Sequence, residues 1–175
     1  MKERFSIPAA GGIIVTEKNG EEYILIQDRV KNDFEAEKGL IEIPAGKVRE
    51  YENIYDCLRR EIFEETGLTV AKIDGEAQSA VIEKNGYKVL SYETYSNAQN
   101  LEGYYPVIVQ IFLCTVQNGW SVQKESDESK NIRWIKKREL KKLLENKEMF
   151  YPMHIGTLEK YCGTGDHKKE IRSGK

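Results

Sequence analysis

The sequence has few of the residues that build disulfide frameworks, redox centres or histidine-rich metal sites. Its 175 residues include only three cysteines and two histidines. Cys57, Cys114 and Cys162 form no CxxC pair and leave one thiol over in any bridging scheme, which is typical of a reducing compartment. His154 and His167 have no partner at ligand spacing, so we expect neither to bind metal. The sequence also offers no plausible histidine relay for a serine or cysteine nucleophile.

Long hydrophobic runs and an excess of one charge are also absent. The N-terminus has no sustained apolar segment of the signal-peptide type, and no stretch approaches the roughly 20 residues of a membrane span. The 27 basic and 29 acidic residues give a net charge of −2, which argues against nucleic-acid wrapping and anionic membranes. The lysine-rich run 130–142 is typical of a solvated helix face. We therefore expect a soluble cytoplasmic protein with no nucleic-acid or membrane partner.

The first third of the chain predicts a hairpin, a short strand and a helix. Two β-branched runs within residues 11–29 are separated by a KNG turn signal, which favours a hairpin. Residues 31–40 resemble a loop, and LIEIPAG at 40–46 is typical of a short strand stopped by proline and glycine. Apolar residues recur every four positions in the next segment, which predicts a helix over 52–66.

The remainder predicts mostly strands, followed by helices. Strand-like pieces rich in Val, Ile and Tyr lie at 69–86, 87–96 and 104–118 and are separated by turn signals. A strand at 131–135 leads into a charged helix at 136–147, and 151–161 is compatible with a last helical segment. The pattern predicts one α/β or α+β domain over residues 1–162, followed by a mobile polar tail at 163–175.

The sequence REIFEETG, residues 60–67, places three glutamates in the last turn of a predicted helix, where negative charge is unfavourable. Glu61, Glu64 and Glu65 precede Gly67, a candidate C-cap, although carboxylates are unfavourable at a helix C-terminus. Their i,i+3 and i,i+4 spacing adds repulsion of roughly 0.2–0.5 kcal/mol per pair. At about 100° per residue they share one arc that continues the apolar stripe. A solvated face is the usual explanation of a charge run, but these features favour a hard divalent cation such as Mg²⁺.

The loop that enters this helix is compatible with a cation site. Gly46 permits close backbone approach and can offer a carbonyl oxygen, while Pro44 stiffens the entry. Glu50 and Glu52 lie near the helix N-terminus, where carboxylates are favourable. Arg60 follows Glu52 by two turns and can pair with it, although an exposed pair of this kind contributes only about 0–1 kcal/mol.

Gly46, Glu52 and the run Arg60–Leu68 together resemble the signature box of the Nudix hydrolases at every specified position. The arrangement of strands around the box, and the final strand and helix at NIRWI and KKREL, are also similar to that family. The resemblance implies an α/β/α sandwich with a mixed β-sheet, in which the box forms a loop, a helix and a loop. It also implies hydrolysis of a nucleoside diphosphate linked to another moiety, X.

The same resemblance implies roles for individual residues. Arg60 and Glu52 are similar to the pair that braces the loop, and in some relatives the latter also reaches metal. Two or more Mg²⁺ or Mn²⁺ ions would neutralise the diphosphate, orient it and activate water. The implied metal ligands are Gly46 through its carbonyl, Glu52, Glu61, Glu64 and Glu65.

The general base remains open between two positions. Relatives use either a glutamate of the box or one from a later loop. The acidic residues Glu125, Asp127 and Glu128 lie just before the last predicted strand, where that loop is expected. Glu128 is our candidate and Glu61 is its rival; a solvated loop charge is the alternative for Glu128.

The sequence features that indicate a substrate are less specific than the signature box. GLIEIPAGKV resembles the lead-in of nucleotide-sugar members such as ADP-ribose pyrophosphatases, but the proline that often follows the box in those enzymes is missing. Arg29 and Lys47 are candidates for phosphate contacts or are surface charges. Tyr92 is our candidate for stacking on a base, although tyrosines at strand spacing, including Tyr95, Tyr104 and Tyr105, are more often packing residues.

Three alternatives remain beside the nucleotide-sugar assignment. The chain could cleave nucleoside triphosphates, or it could be a non-catalytic sensor of the same fold. It retains all box glutamates, which a sensor is expected to lose. An isomerase on this fold needs a catalytic cysteine and glutamate outside the box, which we cannot assign. Because many relatives are homodimers, the resemblance also suggests a possible homodimer.

Overall fold

The computed structural model describes residues 3–30, 35–117 and 120–163. Its strands are β1 (Ile7–Lys18), β2 (Glu21–Arg29), β3 (Ile41–Glu42), β4 (Ala45–Lys47), β5 (Val70–Ile73), β6 (Ala80–Lys84), β7 (Tyr87–Ser91), β8 (Ser96–Gln99), β9 (Val107–Val116) and β10 (Ser129–Lys136). Its α-helices are α1 (Ile54–Thr66), α2 (Lys137–Leu143) and α3 (Pro152–Cys162). The predicted mobile tail, from residue 164 onward, and loop residues 31–34 lie outside these ranges.

A mixed sheet forms the centre of the fold, as predicted. Among the residues described, eight strands join it, in the order β10-β2-β1-β9-β5, with β3 beside β2, β4 beside β1 and β8 beside β9. The predicted hairpin is β1 and β2, which pair antiparallel around Asn19 and Gly20, both at positive φ. Strand β1 also pairs in parallel with β9, which joins the two halves of the chain.

Helices cover both faces of the sheet because successive strand residues point to opposite sides. In β1, Ala10 and Ile14 belong to the core beneath α1, whereas Ala9 and Ile13 belong to the core beneath α2 and α3. Strand β9 alternates in the same way, with Phe112 in the first core and other residues in the second. The architecture is the expected α/β/α sandwich.

Helix α1 ends at Thr66 as the sequence predicts and begins at Ile54, two residues later than predicted. The Asn53 side chain accepts a hydrogen bond from the backbone N–H of Tyr55 at 2.9 Å, which caps the N-terminus. Gly67 has φ of 73° and donates its N–H to the carbonyl of Phe63, which ends the helix in a left-handed cap. The apolar stripe of Ile54, Leu58 and Ile62 is buried against the sheet.

Two local expectations were wrong. The segment 40–46 was expected to be one strand stopped by Pro44 and Gly46, but it contains the two short strands β3 and β4, and Gly46 pairs with Ala10 inside β4. The predicted strand at 87–96 is too long, because β7 ends at Ser91 and β8 begins at Ser96. Strand β7 pairs with β6 in a separate two-stranded sheet, while β8 pairs with β9.

Candidate active site

Gly46 brings the backbone of β4 directly against the first glutamate of the acidic cluster. A Cβ atom at Gly46 would lie 1.9 Å from Cδ of Glu61 and 2.0 Å from its Oε2, distances that no real side chain tolerates. The Glu61 side chain is only 12% exposed. Glycine is therefore required here by close approach and not by an unusual φ angle, and the space it leaves is filled by a carboxylate.

Arg60 braces the loop between β4 and α1 through Glu52. Its Nε donates to Oε1 of Glu52 at 2.7 Å and its Nη2 donates to Oε2 at 2.8 Å. These bonds, with the N–H of Arg49 as a further donor, hold the pKa of Glu52 at about 2. Arg60 thus engages both carboxylate oxygens of Glu52 and ties the loop to α1. Glu52 is not among the residues that line the cleft described below, whereas Glu61 is.

Arg60 also offsets the repulsion that the sequence implied. Its Nη1 donates to Oε1 of Glu61 at 2.5 Å and to Oε2 of Glu64 at 3.3 Å. The third glutamate, Glu65, is held differently: it is buried, and its Oε2 accepts a 2.7 Å hydrogen bond from Nε2 of Gln27. The three carboxylates thus share one arc of α1 but have different surroundings, with Glu64 half exposed.

The donor set has the chemistry of a hard-cation site. It consists of carboxylate oxygens and the backbone of Gly46, and Mg²⁺ and Mn²⁺ prefer such ligands. Within residues 3–30, 35–117 and 120–163, no three His, Cys, Asp or Glu side chains are already gathered around one metal position. The residues fit a cation because the Glu61 carboxylate lies against the backbone of Gly46, in the space that a Cβ would fill. A cation that binds Glu61 and Glu64 would have to displace the hydrogen bonds that Arg60 donates to them.

A cleft of about 460 Å³ runs from these groups along the sheet. Gly46, Lys47 and Glu61 line it together with Asp127 and Glu128 of the loop before β10. Both predicted phosphate contacts, Lys47 and Arg29, therefore lie on the cleft. The other lining residues are the polar Glu42 and His154 and the apolar or aromatic Ile7, Ala9, Ala45, Tyr105, Val107, Val109, Tyr151 and Met153.

Arg29 is buried at the cleft wall within a polar network. It donates to Glu42 and Glu37, both at 3.0 Å, and to the hydroxyl of Tyr105 at 2.7 Å, and its guanidinium lies 4.4 Å from the ring centre of Tyr151. Burial is the largest single effect and opposes its charge, but the charge and hydrogen bond of Glu42 together with Tyr151 and Tyr105 outweigh it and raise the pKa of Arg29. Arg29 stays a cation whose first role is to hold the cleft wall.

Tyr92 lies away from the cleft. Its ring packs 6.1 Å from the rings of Tyr55 and Phe112 in the core beneath α1, and its hydroxyl donates to Oε1 of Gln110 at 2.5 Å. This is the packing alternative that the strand spacing suggested. The aromatic side chains on the cleft are instead those of Tyr105 and Tyr151.

Sequence reasoning missed several residues of this region. Gln27 and Glu42 are buried beside Glu65, and His154 lines the cleft while its Nδ1 accepts the N–H of Ile43 at 3.3 Å. The one available signal was Gln27, a polar residue inside the apolar run YILIQ, since a buried amide needs a partner. Nothing in the local pattern marked His154 or Tyr151.

Comparison with known proteins decides the family. A family model described as NUDIX domain matches residues 6–154, which is most of the chain. The chain belongs to the NUDIX family. It is a pyrophosphohydrolase of that family, and it acts on nucleoside diphosphate derivatives. By sequence alone, no curated protein matches it.

Solved NUDIX structures resemble the whole fold at low identity. An Ap4A hydrolase from C. elegans in a binary complex is 19% identical, with 90% of this chain and 96% of that chain covered and a TM-score of 0.57. The NUDIX domain of Shewanella oneidensis NrtR complexed with ADP ribose is 12% identical (90% and 86%, TM-score 0.61). A MutT protein from Methanosarcina mazei Go1 is 23% identical (92% and 96%, TM-score 0.56). These likenesses concern the fold.

In the described ranges, no helix is both long enough and apolar enough to cross a bilayer.

Proposed function

We propose that the protein hydrolyses the diphosphate linkage of a nucleotide sugar such as ADP-ribose, with Mg²⁺ or Mn²⁺ bound by Glu61, Glu64, Glu65 and the carbonyl of Gly46. The observation that carries this proposal is the mixed lining of the cleft. Glu61, Gly46 and Lys47 of the box region line it together with apolar side chains and the rings of Tyr105 and Tyr151. A diphosphate held beside Glu61 and Lys47 would leave the rings of Tyr105 and Tyr151 for the attached moiety.

The bound cations would neutralise the diphosphate and lower the pKa of a water molecule. This chain's own residues would supply positioning and proton transfer. Lys47, at the cleft, would contact a phosphate oxygen, and Arg60 would keep the box loop in place through Glu52. A network of donors and aromatic rings around Arg29 would receive the moiety that is not at the box.

The chemical step would be the attack of water on one phosphorus atom. Glu128 would accept the proton from that water, and the bridging P–O bond would break with its electron pair leaving on the other phosphate. With ADP-ribose the products would be AMP and ribose 5-phosphate. The position of Glu128 on the same cleft as Glu61 and Gly46 supports it as base. Glu61 remains the rival, although Arg60 already engages one of its oxygens.

A substrate panel with product identification tests the proposal. ADP-sugars, dinucleoside polyphosphates, nucleoside triphosphates and coenzymes would each be incubated with the full chain and Mg²⁺ or Mn²⁺. We expect turnover to be fastest with an ADP-sugar and to yield two monophosphates. Release of pyrophosphate from a triphosphate would favour the alternative assignment, and tight binding of every candidate without cleavage would identify a sensor.

Substitutions of the box glutamates test the assigned roles. Glu64→Gln and Glu65→Gln should each lower kcat by about a hundredfold or more, because each removes a charge that acts on the transition state. Glu128→Gln should lower kcat by about 10²–10⁴-fold if it is the general base. Glu125→Gln, in the same loop and absent from the cleft lining, is the matched control. Full activity in both box variants would refute the assignment.

A further inference from the structure

Gln27 is a fully buried amide in the middle of β2. It lies directly opposite Glu42 in the pairing of β2 with β3. Its Nε2 is 2.7 Å from Oε2 of Glu65 and 3.4 Å from Oε1 of Glu42, so one amide group lies between two buried carboxylates. The carboxylate of Glu42 also accepts a hydrogen bond from Nη1 of Arg29. A continuous polar path therefore joins the end of α1 to the wall of the cleft.

The two halves of the Gln27 amide have opposite effects on stability. Its Oε1 is buried and has no hydrogen-bond partner in the part of the chain that the structure describes, which opposes folding. Its Nε2 donates to two buried carboxylates, which an apolar side chain would leave without this donor. Strand β2 is otherwise apolar at its buried centre, where Ile24, Leu25 and Ile26 precede Gln27. The contribution of the amide at this position therefore lies in its donor half.

A neutral donor suits a carboxylate that has to bind a cation. Arg60 contacts Glu61 and Glu64 with a full positive charge, which competes with a divalent ion for the same oxygens. Gln27 fixes Oε2 of Glu65 by a hydrogen bond and adds no charge. Gln27 therefore holds the Glu65 side chain in one orientation without adding a positive charge that would compete with a cation.

We propose that Gln27 is a positioning residue for metal binding: its amide orients Glu65 and couples that carboxylate to the Glu42–Arg29 wall of the cleft. This inference rests on the proposed function, because the metal role of Glu65 is part of that proposal. Groups that orient a metal ligand typically change metal affinity or activity by about 10–100-fold when they are removed.

The test is Gln27→Met, which keeps the length of the side chain and removes both amide groups. Mn²⁺ binding to the full chain would be measured by electron paramagnetic resonance of free Mn²⁺, and the Tm of the metal-free protein by calorimetry. We expect the Kd for Mn²⁺ to rise about tenfold or more. We expect a modest fall in Tm, because the buried carboxylates of Glu65 and Glu42 lose a donor, so Mn²⁺ binding is measured well below the Tm of the variant. Activity should recover partly at high Mn²⁺, with kcat affected more than KM.

The matched control is Ile26→Val, since Ile26 is the adjacent residue of β2, is equally buried and faces the opposite core. It should lower Tm and leave the Kd for Mn²⁺ unchanged. Gln27→Leu is the second variant if Gln27→Met does not fold. Unchanged Mn²⁺ affinity in the folded Gln27 variant, or an equal loss of affinity in Ile26→Val at a similar fall in Tm, would overturn the inference.

A separate variant distinguishes this inference from the proposed function. If Glu65→Gln loses Mn²⁺ affinity and Gln27→Met does not, only the role of Gln27 fails. If the wild-type chain binds no Mn²⁺, or Glu65→Gln binds it as tightly as the wild type, the proposed metal site itself fails.

Discussion

At the scale of single residues, Gly46 is the position where one added carbon atom has the largest predicted effect on the site. The Glu61 carboxylate occupies the space that a Cβ would need. We expect Gly46→Ala to displace Glu61 and to lower kcat/KM by about a hundredfold, since misplacing a group by about 1 Å can cost that much. Enzyme kinetics at saturating Mg²⁺ would measure the effect.

Gly156 provides the control for this substitution. It lies within α3, and a Cβ there meets no heavy atom within 4 Å. Gly156→Ala should leave kcat/KM unchanged and raise stability by about 0.5–1 kcal/mol, because alanine is the better helix residue. Equal kinetics in the two alanine variants would contradict the importance of the close contact at Gly46.

Glu52 makes acid stability a readout of the loop brace. Its pKa is lowered from 4.5 to about 2 when the chain folds, chiefly by the hydrogen bonds from Arg60. A depressed carboxylate pKa stabilises the folded state above pH 4.5, and this contribution disappears as the pH falls towards 2. Glu52→Gln should therefore cost about 1–2 kcal/mol at pH 7, allowing for partial solvent screening.

Urea unfolding at several pH values would measure this difference. The difference in unfolding free energy between wild type and Glu52→Gln should shrink as the pH falls from 4.5 to 2. Glu35→Gln removes an exposed partner of Lys38 and should change stability little at any pH, because surface ion pairs are weak. A gap that stays constant down to pH 2 would show that the bonds from Arg60 do not depress the pKa of Glu52.

At the scale of elements, the end of α1 determines where the box glutamates lie. Gly67 adopts a φ of 73°, which costs other L-residues roughly 1–2 kcal/mol. We expect Gly67→Ala to lower the unfolding free energy by about that amount, whereas Gly67→Asn should cost less because asparagine tolerates the left-handed region. Thermal unfolding of the two variants would decide, and an alanine variant as stable as the asparagine variant would contradict the cap.

Elements with strong local signals were predictable, and those that depend on distant pairing were not. The KNG turn and the four-residue apolar spacing specified the first hairpin and α1 because both signals are local. The parallel pairing of β1 with β9 joins residues about a hundred positions apart, and no local pattern encodes it. The division of 40–46 into β3 and β4 likewise depends on two different partner strands.

The same distinction applies to the candidate site. The box residues are close in sequence, so spacing alone brought Glu61, Glu64 and Glu65 to one arc. The cleft wall needs residues from β2, β3 and the segments before β9 and α3, and their proximity follows only from the folded sheet. The ring of Tyr92 packs against Tyr55 and Phe112, partners that strand spacing did not indicate, because spacing does not determine which face of the sheet a tyrosine meets.

At the scale of the whole molecule, the sheet separates two hydrophobic cores that should differ in their influence on catalysis. Leu58 lies on the buried face of α1, the helix that carries the box glutamates. Leu158 is equally buried on α3, in the core on the opposite face of the sheet. Each Leu→Ala change should cost about 2–5 kcal/mol of stability through lost packing and a cavity. The two variants therefore form a matched pair on opposite faces.

Only the cavity beneath α1 should also reach the chemistry. A gap there lets the helix shift relative to Gly46 and Glu61, whereas a gap beneath α3 leaves that contact intact. We expect Leu58→Ala to lower kcat/KM at least tenfold more than Leu158→Ala, measured at a temperature where calorimetry shows both variants folded. Equal losses of activity in Leu58→Ala and Leu158→Ala at equal losses of stability would contradict this prediction. They would show that the packing of α1 on its core does not determine the geometry of the site.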